Sequence, residues 1–388
     1  MNIRVATLNV WALPEPIGVN VPARMEAIGA RLADLDVDVM AFQEVWTAEA
    51  GRLLLAAGRK AGLSHAWHKK GLLGGSGLLV LSRLPIEDIR FEHFALRGLP
   101  QHPRHADYFG GKGFVRLRLQ TQAGPLTFID THLHARYARD VVHEYRAHRT
   151  GQVVQLAIDL LTTSDPIVAV GDFNFQEGQP EYAVLTGLTG MRDVAAALDR
   201  RQPTVFRGNR YRAGSSKPDR RIDFVFTRDG SGRGLSGRHS QRIFDEPLTR
   251  EGRSITYSNH AGVLAEIDMS RRSGAGIAAP AHRAVTLASR LLSEGRADAE
   301  RRQRGGRGWA GLGIGGAALA SAGLRMPAMS RRRMLRASLS GAALLALTPG
   351  VGMSILSEVF VPSEIRAFDA LAAHLKRVDP GAFEESIA

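Results

Sequence analysis

An α/β fold over the first 268 residues is what this sequence predicts, and three observations predict it. Short apolar runs of strand length alternate with longer stretches whose apolar residues recur every three or four positions. Polar residues collect where the apolar runs stop, at Asn9, Glu44, His132, Asp172 and Asn174. The charge of this part is modest, +5 of the chain's +13, and the 44% hydrophobic content is enough for a packed core.

Taken in order, Ile3–Val10 alternates as a half-buried strand, so the fold is expected to begin at residue 2 or 3 with no secretory leader before it. Arg24–Leu35 follows with helical spacing, then the apolar strand Val37–Gln43 and a second helix at Ala48–Ala61. Strands are read at Gly77–Ser82, Phe114–Leu119 and Leu126–His132, and a helix at Arg139–Leu161. Ile167–Gly171 is the most continuously apolar strand, and Ile222–Thr227 and Gly262–Ile267 complete the set. A sheet whose strand ends converge on one edge assembles a site there.

The remainder differs in composition. Residues 269–388 carry +8, and between 269 and 336 there are 14 basic residues against 3 acidic ones. The expected organisation is a catalytic domain at 1–268, a basic Arg-rich linker at 269–307 and a Gly/Ala-rich apolar tail at 308–388. Such a run attracts anionic surfaces, lipid or nucleic acid, or is simply solvated. Two uncharged stretches lie in the tail, 308–324 and 337–357, and only the second is long enough to cross a bilayer. Arginine clusters before and between them favour one span at 337–357, with 308–324 on the membrane surface and the catalytic part on the cytoplasmic side. Ser330-Arg331-Arg332-Arg333-Met334-Leu335 before an apolar run also looks like an internal twin-arginine export signal. The absence of cysteine excludes disulfides, thiolate zinc sites and cysteine nucleophiles.

The polar strand ends suggest chemistry. Glu44 is a reasonable ligand for a hard cation or a surface carboxylate. Asp172 and Asn174, two residues apart, would project together toward a phosphate-sized ligand, or form an Asx turn. His132 and His134 share the same spacing; without a zinc motif, His132 reads as a phosphate contact and His134 equally as structural. Asp223 is the candidate carboxylate that would orient His260 as a base.

That order of groups, with Leu8-Asn9, Gln43-Glu44, Thr131-His132, Gly171-Asp172-Phe173-Asn174, Arg221-Ile222-Asp223 and Asn259-His260, resembles the endonuclease/exonuclease/phosphatase superfamily. Asn9-Val10-Trp11, Glu44-Val45-Trp46, Gly75-Ser76-Gly77, Thr131-His132-Leu133-His134-Ala135 and Ala147-His148-Arg149 are closer to its neutral sphingomyelinases. The resemblance implies a four-layered α/β sandwich of two mainly antiparallel sheets between helices. It also implies Mg²⁺, with Mn²⁺ the alternative, held by Glu44 and near Asn259, and hydrolysis of sphingomyelin to ceramide and phosphocholine. Asn9, Asn174 and His132 would contact the phosphoryl oxygens, and His260 would be the base with Asp223 and Asp172 positioning. Asp107 and Lys112, in Asp107-Tyr108-Phe109-Gly110-Gly111-Lys112-Gly113, resemble a switch in which the lysine reaches the site when the aspartate engages it. Asn259 departs from the family's aspartate and loses its charge. The expected partner is sphingomyelin or a lysophospholipid in a membrane, with the Arg-rich tail on anionic lipid. The alternatives are lysophospholipase C action, a nuclease or abasic-site endonuclease, which the near-neutral domain disfavours, and an inactive membrane adaptor.

Overall fold

The computed structural model describes residues 1–70, 75–102, 105, 107–137, 144–212, 214, 216–230, 232–250, 252–272, 279–325, 333–379 and 381. The first half contains β1 Asn2–Ala12, α1 Val21–Leu35, β2 Val39–Val45, α2 Ala48–Lys60, β3 His65–His68, β4 Leu79–Ser82, β5 Ile86–His93, β6 Gly113–Thr121 and β7 Gly124–His132. There follow α3 Arg146–Leu160, β8 Ile167–Asp172, α4 Pro180–Thr189, β9 Arg192–Asp193, α5 Val194–Ala197 and β10 Asp223–Arg228. Then come β11 Arg233–Ile243, β12 Leu248–Arg250, β13 Arg253–Ile255, β14 Gly262–Arg271, α6 His282–Leu324, α7 Arg333–Ile355 and α8 Val361–Val378.

Two six-stranded sheets carry the fold. One has the order β11-β14-β1-β2-β4-β3, the other β5-β6-β7-β8-β10-β9. Among the described residues, only the β1/β2 and β7/β8 pairs are parallel within these sheets. Strand alternation explains the layering. In β1, Ile3 and Val5 face the second sheet, while Ala6, Leu8 and Val10 pack against α1 and α2. In β8, Val168 and Val170 face the first sheet, and Ile167 and Ala169 meet α3 and α4. The result is the expected helix–sheet–sheet–helix sandwich.

The outer helical layer on the second sheet contains more than α3 and α4. Ala284, Val285, Ala288 and Leu292 of α6, and Phe368, Leu371 and Leu375 of α8, are buried in the same core. At roughly 1.5–3 kcal/mol for each fully buried large apolar side chain, these helices belong to the domain they cover. Within the 269–307 expected as a linker, 269–271 end β14 and 282–307 belong to a core-packed helix. The i, i+4 stripe of Ala284, Ala288 and Leu292 gives the physical reason. The basic run is also less free than its composition implied. Arg296, Arg302 and Arg307 pair with Asp369, Glu364 and Glu358.

Beyond this layer α6 and α7 run antiparallel. A Cβ on Gly313 would lie 2.7 Å from the Ala346 carbonyl oxygen and from Gly350, so the backbones touch where only glycine fits. The stretch 308–324 therefore pairs with 337–355 instead of standing apart from it. Trp309, Leu312, Leu319, Leu344 and Leu345 point outward from this hairpin, each 66% exposed or more. The helical run Ser338–Val378 is long and apolar enough to cross a membrane. The first half of the twin-arginine-like motif, residues 330–332, lies outside the described residues, as do 138–143 at the start of the expected Arg139 helix.

Candidate active site

Register brings the polar strand ends together. His132 on β7 and Asp223 on β10 are both partnered with Asp172 on β8, so the three lie in one row across adjacent strands. All three face the opposite sheet. There Asn9, paired with Gln43, occupies the equivalent end of β1. β8 approaches β7 so closely at Gly171 (φ 138°) that a Cβ would sit 2.0 Å from the Thr131 carbonyl oxygen. Only glycine allows Asp172 to be delivered beside His132.

The contacts form one network. Asn9 Nδ2 donates to Glu44 Oε1 at 2.9 Å and to Asp172 Oδ2 at 3.0 Å. Glu44 reaches this amide because its left-handed backbone (φ 60°) breaks the strand alternation at the end of β2. Asn174 also has positive φ (51°), and its N–H donates to Asp172 Oδ1 at 3.0 Å. The turn reading of this pair is realised, and it swings Asn174 to the site, where its Nδ2 donates to the Leu133 carbonyl.

His132 Nε2 lies 2.9 Å from Lys112 Nζ and 3.4 Å from Asp172 Oδ2, and its buried Nδ1 has no partner. Lys112 is anchored by Asp107 Oδ1 at 2.8 Å and the Leu133 carbonyl at 2.8 Å. The Asp107–Lys112 pair is thus engaged and buried here. Asp107 Oδ2 also accepts the Ala135 N–H and stands 3.3 Å from His134 Nδ1. Burial would raise the Asp107 pKa, but Lys112 and the two histidines hold it below the usual range. Burial drives His134 down to about 3, which makes it a neutral structural ring.

His260 Nδ1 is 2.9 Å from Asp223 Oδ2. Burial alone would lower the His260 pKa; the Asp223 carboxylate, with Asp172 and Glu44 beyond it, overcomes this and raises it to about 9. Burial likewise opposes the charge on Asp172, yet His132, His260 and Lys112 keep it below the ordinary carboxylate range. The loop before β14 is locked to β1 by Ser258, whose Oγ donates to the Asn9 carbonyl at 2.6 Å and accepts from the His260 N–H. Asn259 turns its amide oxygen toward Ser258 Oγ at 3.3 Å.

A hard divalent cation fits this donor set. Glu44 is ionisable, one-fifth exposed and fixed through one oxygen, and Asp172 is held in its charged form. Asp172, Asp223 and His260 also offer ligand atoms within 4.8 Å of one another. Asp223 and His260 are engaged with each other, however, which leaves Glu44 and Asp172 as the available carboxylates.

Two parts of the site were not read from sequence. Arg24 is fully buried at the start of α1 and donates to the carbonyls of Val10, Trp11, Val19 and Tyr257. It ties the end of β1 to the loop before His260, and burial lowers its pKa to about 10. An arginine inside the apolar face of α1, beside Met25 and Ile28, was the available signal. Asp130 is equally buried, accepts from Gln43 Nε2 at 2.7 Å, and is pushed well up by that burial.

Residues 6–260 match the Endonuclease/Exonuclease/phosphatase family, and the chain belongs to it. A putative neutral sphingomyelinase of Drosophila melanogaster is 31% identical over 69% of this chain and 61% of its own length. An inositol phosphosphingolipids phospholipase C of Saccharomyces cerevisiae is 28% identical over 52% of this chain and 47% of its own. The chain therefore spans about half to six-tenths of these relatives. Among solved structures, D. rerio TDP2 humanized by 14 mutations matches with a TM-score of 0.55 at 17% identity, over 69% of this chain and 99% of that one. It shares the fold.

Proposed function

We propose that this chain is a divalent-metal-dependent phosphodiesterase of sphingolipids, hydrolysing sphingomyelin or a related phosphosphingolipid to ceramide and the phosphorylated headgroup. The convergence of Asn9, Glu44, His132, Asp172 and the His260–Asp223 pair at one end of the sandwich carries this reading. The two curated relatives differ in their named headgroup and agree on the sphingolipid class.

A Mg²⁺ ion, or Mn²⁺, held by Glu44 and Asp172 would polarise a phosphoryl oxygen and, by repulsion, help the His260 proton to leave at neutral pH. The chain's own groups do the rest. Asn174 keeps one amide N–H beyond its bond to the Leu133 carbonyl. The Asn9 amide and the Lys112 ammonium now spend their hydrogens within the network, and would exchange partners to donate to the phosphoryl oxygens as negative charge grows in the transition state. The role assigned to Lys112, held by Asp107, is to reach the phosphoryl group, with His132 between Lys112 and Asp172. Once neutral at Nε2, His260 accepts the proton of the attacking water, and Asp223 at Nδ1 holds the ring and stabilises the imidazolium. Membrane attachment is proposed through the outward apolar ridge of α6 and α7, with exposed Arg304 facing anionic headgroups from the cytoplasmic side.

The test is phosphocholine release from sphingomyelin in mixed micelles, with Mg²⁺ and with EDTA. Wild type is expected to be active only with metal. Glu44→Ala and His260→Ala are expected to lose about two to four orders of magnitude with unchanged circular dichroism. Metal-independent release, or full activity of either variant, refutes the assignment.

A further inference from the structure

The sheet does not hold Asn9 and His260 to each other. β1 and β14 pair from Asn2↔Asp268 to Thr7↔Val263, and among the described residues their ladder stops there. Asn9 stays registered against Gln43 of β2, whereas His260 lies in the loop before β14. Two hydrogen-bonded links cross the gap between the end of β1 and this loop among the described residues. One is Ser258 Oγ to the Asn9 carbonyl at 2.6 Å. The other is Arg24 of α1.

Arg24 spans the gap with a single atom. Its Nη1 donates to the Val10 carbonyl at 2.6 Å on one side and to the Tyr257 carbonyl at 3.0 Å on the other. Nη2 holds the Trp11 carbonyl at 2.8 Å and Nε the Val19 carbonyl at 2.9 Å, so four of the five guanidinium hydrogens are used. The guanidinium also lies over two aromatic rings, Trp11 and Tyr211, at 5.3 and 5.5 Å from their centroids. Tyr211 belongs to the turn that Asn209 fastens to the Ser258 carbonyl at 2.7 Å. A buried charge without a direct carboxylate contact is a demanding way to close one loop. A rigid planar fork is what reaches four carbonyls on three separate segments.

We propose that Arg24 is a positioning residue of the reaction: it sets the separation between the phosphoryl-binding Asn9 and the base His260, and with it the alignment of the attacking water. This rests on the phosphodiesterase reading and gives helix α1 a part in turnover. A misplacement of about 1 Å between reacting groups costs roughly 100-fold in rate. Loss of the fork therefore impairs alignment and leaves lipid binding in place.

The experiment uses Arg24→Lys in the full chain, which keeps the charge and replaces the fork by one donor atom. Rates are measured on sphingomyelin in mixed micelles with Mg²⁺ and expressed per folded molecule. The kcat is expected to fall about 10- to 100-fold, while KM changes less than about threefold. Leu32→Ala, a truncation in the buried face of the same helix, controls for lost stability and should keep the wild-type kcat. A readout independent of turnover is the NMR signals of the His260 imidazole and the Asn9 side-chain amide. Both are expected to shift in Arg24→Lys and to stay in place in Leu32→Ala. Unchanged kcat or unmoved signals in Arg24→Lys, or the same losses in Leu32→Ala, overturn the proposal and leave Arg24 a stabiliser of the fold. Where Arg24→Lys does not fold, Tyr211→Leu decides, since it removes one ring and leaves the four hydrogen bonds their donors. A kcat lower by about threefold or more at unchanged KM then upholds the proposal, and an unchanged kcat overturns it. Wild type without turnover defeats the phosphodiesterase reading instead, and the NMR signals alone then decide whether Arg24 holds His260 to Asn9.

Discussion

Asp107→Asn tests whether the buried switch pair is a structural element as well as a candidate catalytic one. The carboxylate and the Lys112 ammonium are 2.8 Å apart, with their side chains 8% and 4% exposed. Neutralising Asp107 leaves Lys112 with the Leu133 carbonyl and His132 as direct contacts, and with Asp172 as a carboxylate that still feels its charge. Breaking one side of a buried ion pair costs about 3–5 kcal/mol, whereas replacing both sides by uncharged groups is close to neutral. The expected result in urea unfolding at neutral pH is a loss of that size for Asp107→Asn, with most of it recovered in Asp107→Asn/Lys112→Met. The single and the double variant should both lack phosphodiesterase turnover. The pH dependence has a definite direction. Because the folded pKa of Asp107 is depressed, its contribution is present above the unfolded value of about 4. It is lost as pH falls through the depressed value. A single-variant loss below about 1 kcal/mol, or a double variant as unstable as the single, contradicts the 3–5 kcal/mol expected for a broken buried pair.

Other expectations follow from the same network. In EDTA, Asp223→Asn should lower the His260 pKa from about 9, because burial is then opposed only by Asp172 and Glu44; imidazole proton NMR reads this directly. The stability gap between wild type and that variant should be largest below pH 6.5 and close as pH rises through about 9, and an unmoved imidazole refutes the pairing. Glu44→Gln should weaken Mn²⁺ binding, followed by electron paramagnetic resonance, by roughly tenfold or more; equal affinity would shift the cation toward Asp172 and Asp223. Leu344→Asp/Leu345→Asp should abolish co-flotation with anionic vesicles while leaving far-UV circular dichroism unchanged, since both side chains are exposed.

The interior strands and the strand-end groups were legible because burial on two faces writes itself as continuous or alternating apolar runs. The edges were not. β5, Ile86-Glu87-Asp88-Ile89-Arg90-Phe91-Glu92-His93, and β11, Arg233–Ile243, carry charges that blunt an exposed edge and thereby hide the strand signal. α6 was masked by its glycines and arginines, although its core stripe Ala284, Ala288 and Leu292 was present at helical spacing. In the site, residues at strand ends could be ordered along the chain, and their convergence was inferred by resemblance. Arg24 showed in the sequence only as a charge on an apolar helix face, since its burial and its carbonyl partners are properties of the assembled sandwich. Left-handed backbone at Glu44 and Asn174 was equally invisible, because neither is glycine.

The length of α6 has a mechanical consequence. Its first turns are clamped in the domain core up to Leu292, and the same unbroken helix carries exposed Trp309 in the outward ridge. At about 1.5 Å per residue that is a strut of roughly 25 Å between core and ridge. A strut fixes angle as well as height. Inserting one residue between Leu292 and Trp309 would lengthen it by about 1.5 Å and turn the ridge by about 100° relative to the catalytic mouth. Where the ridge lies in a bilayer, the phase of this helix sets which way the mouth of the enzyme faces.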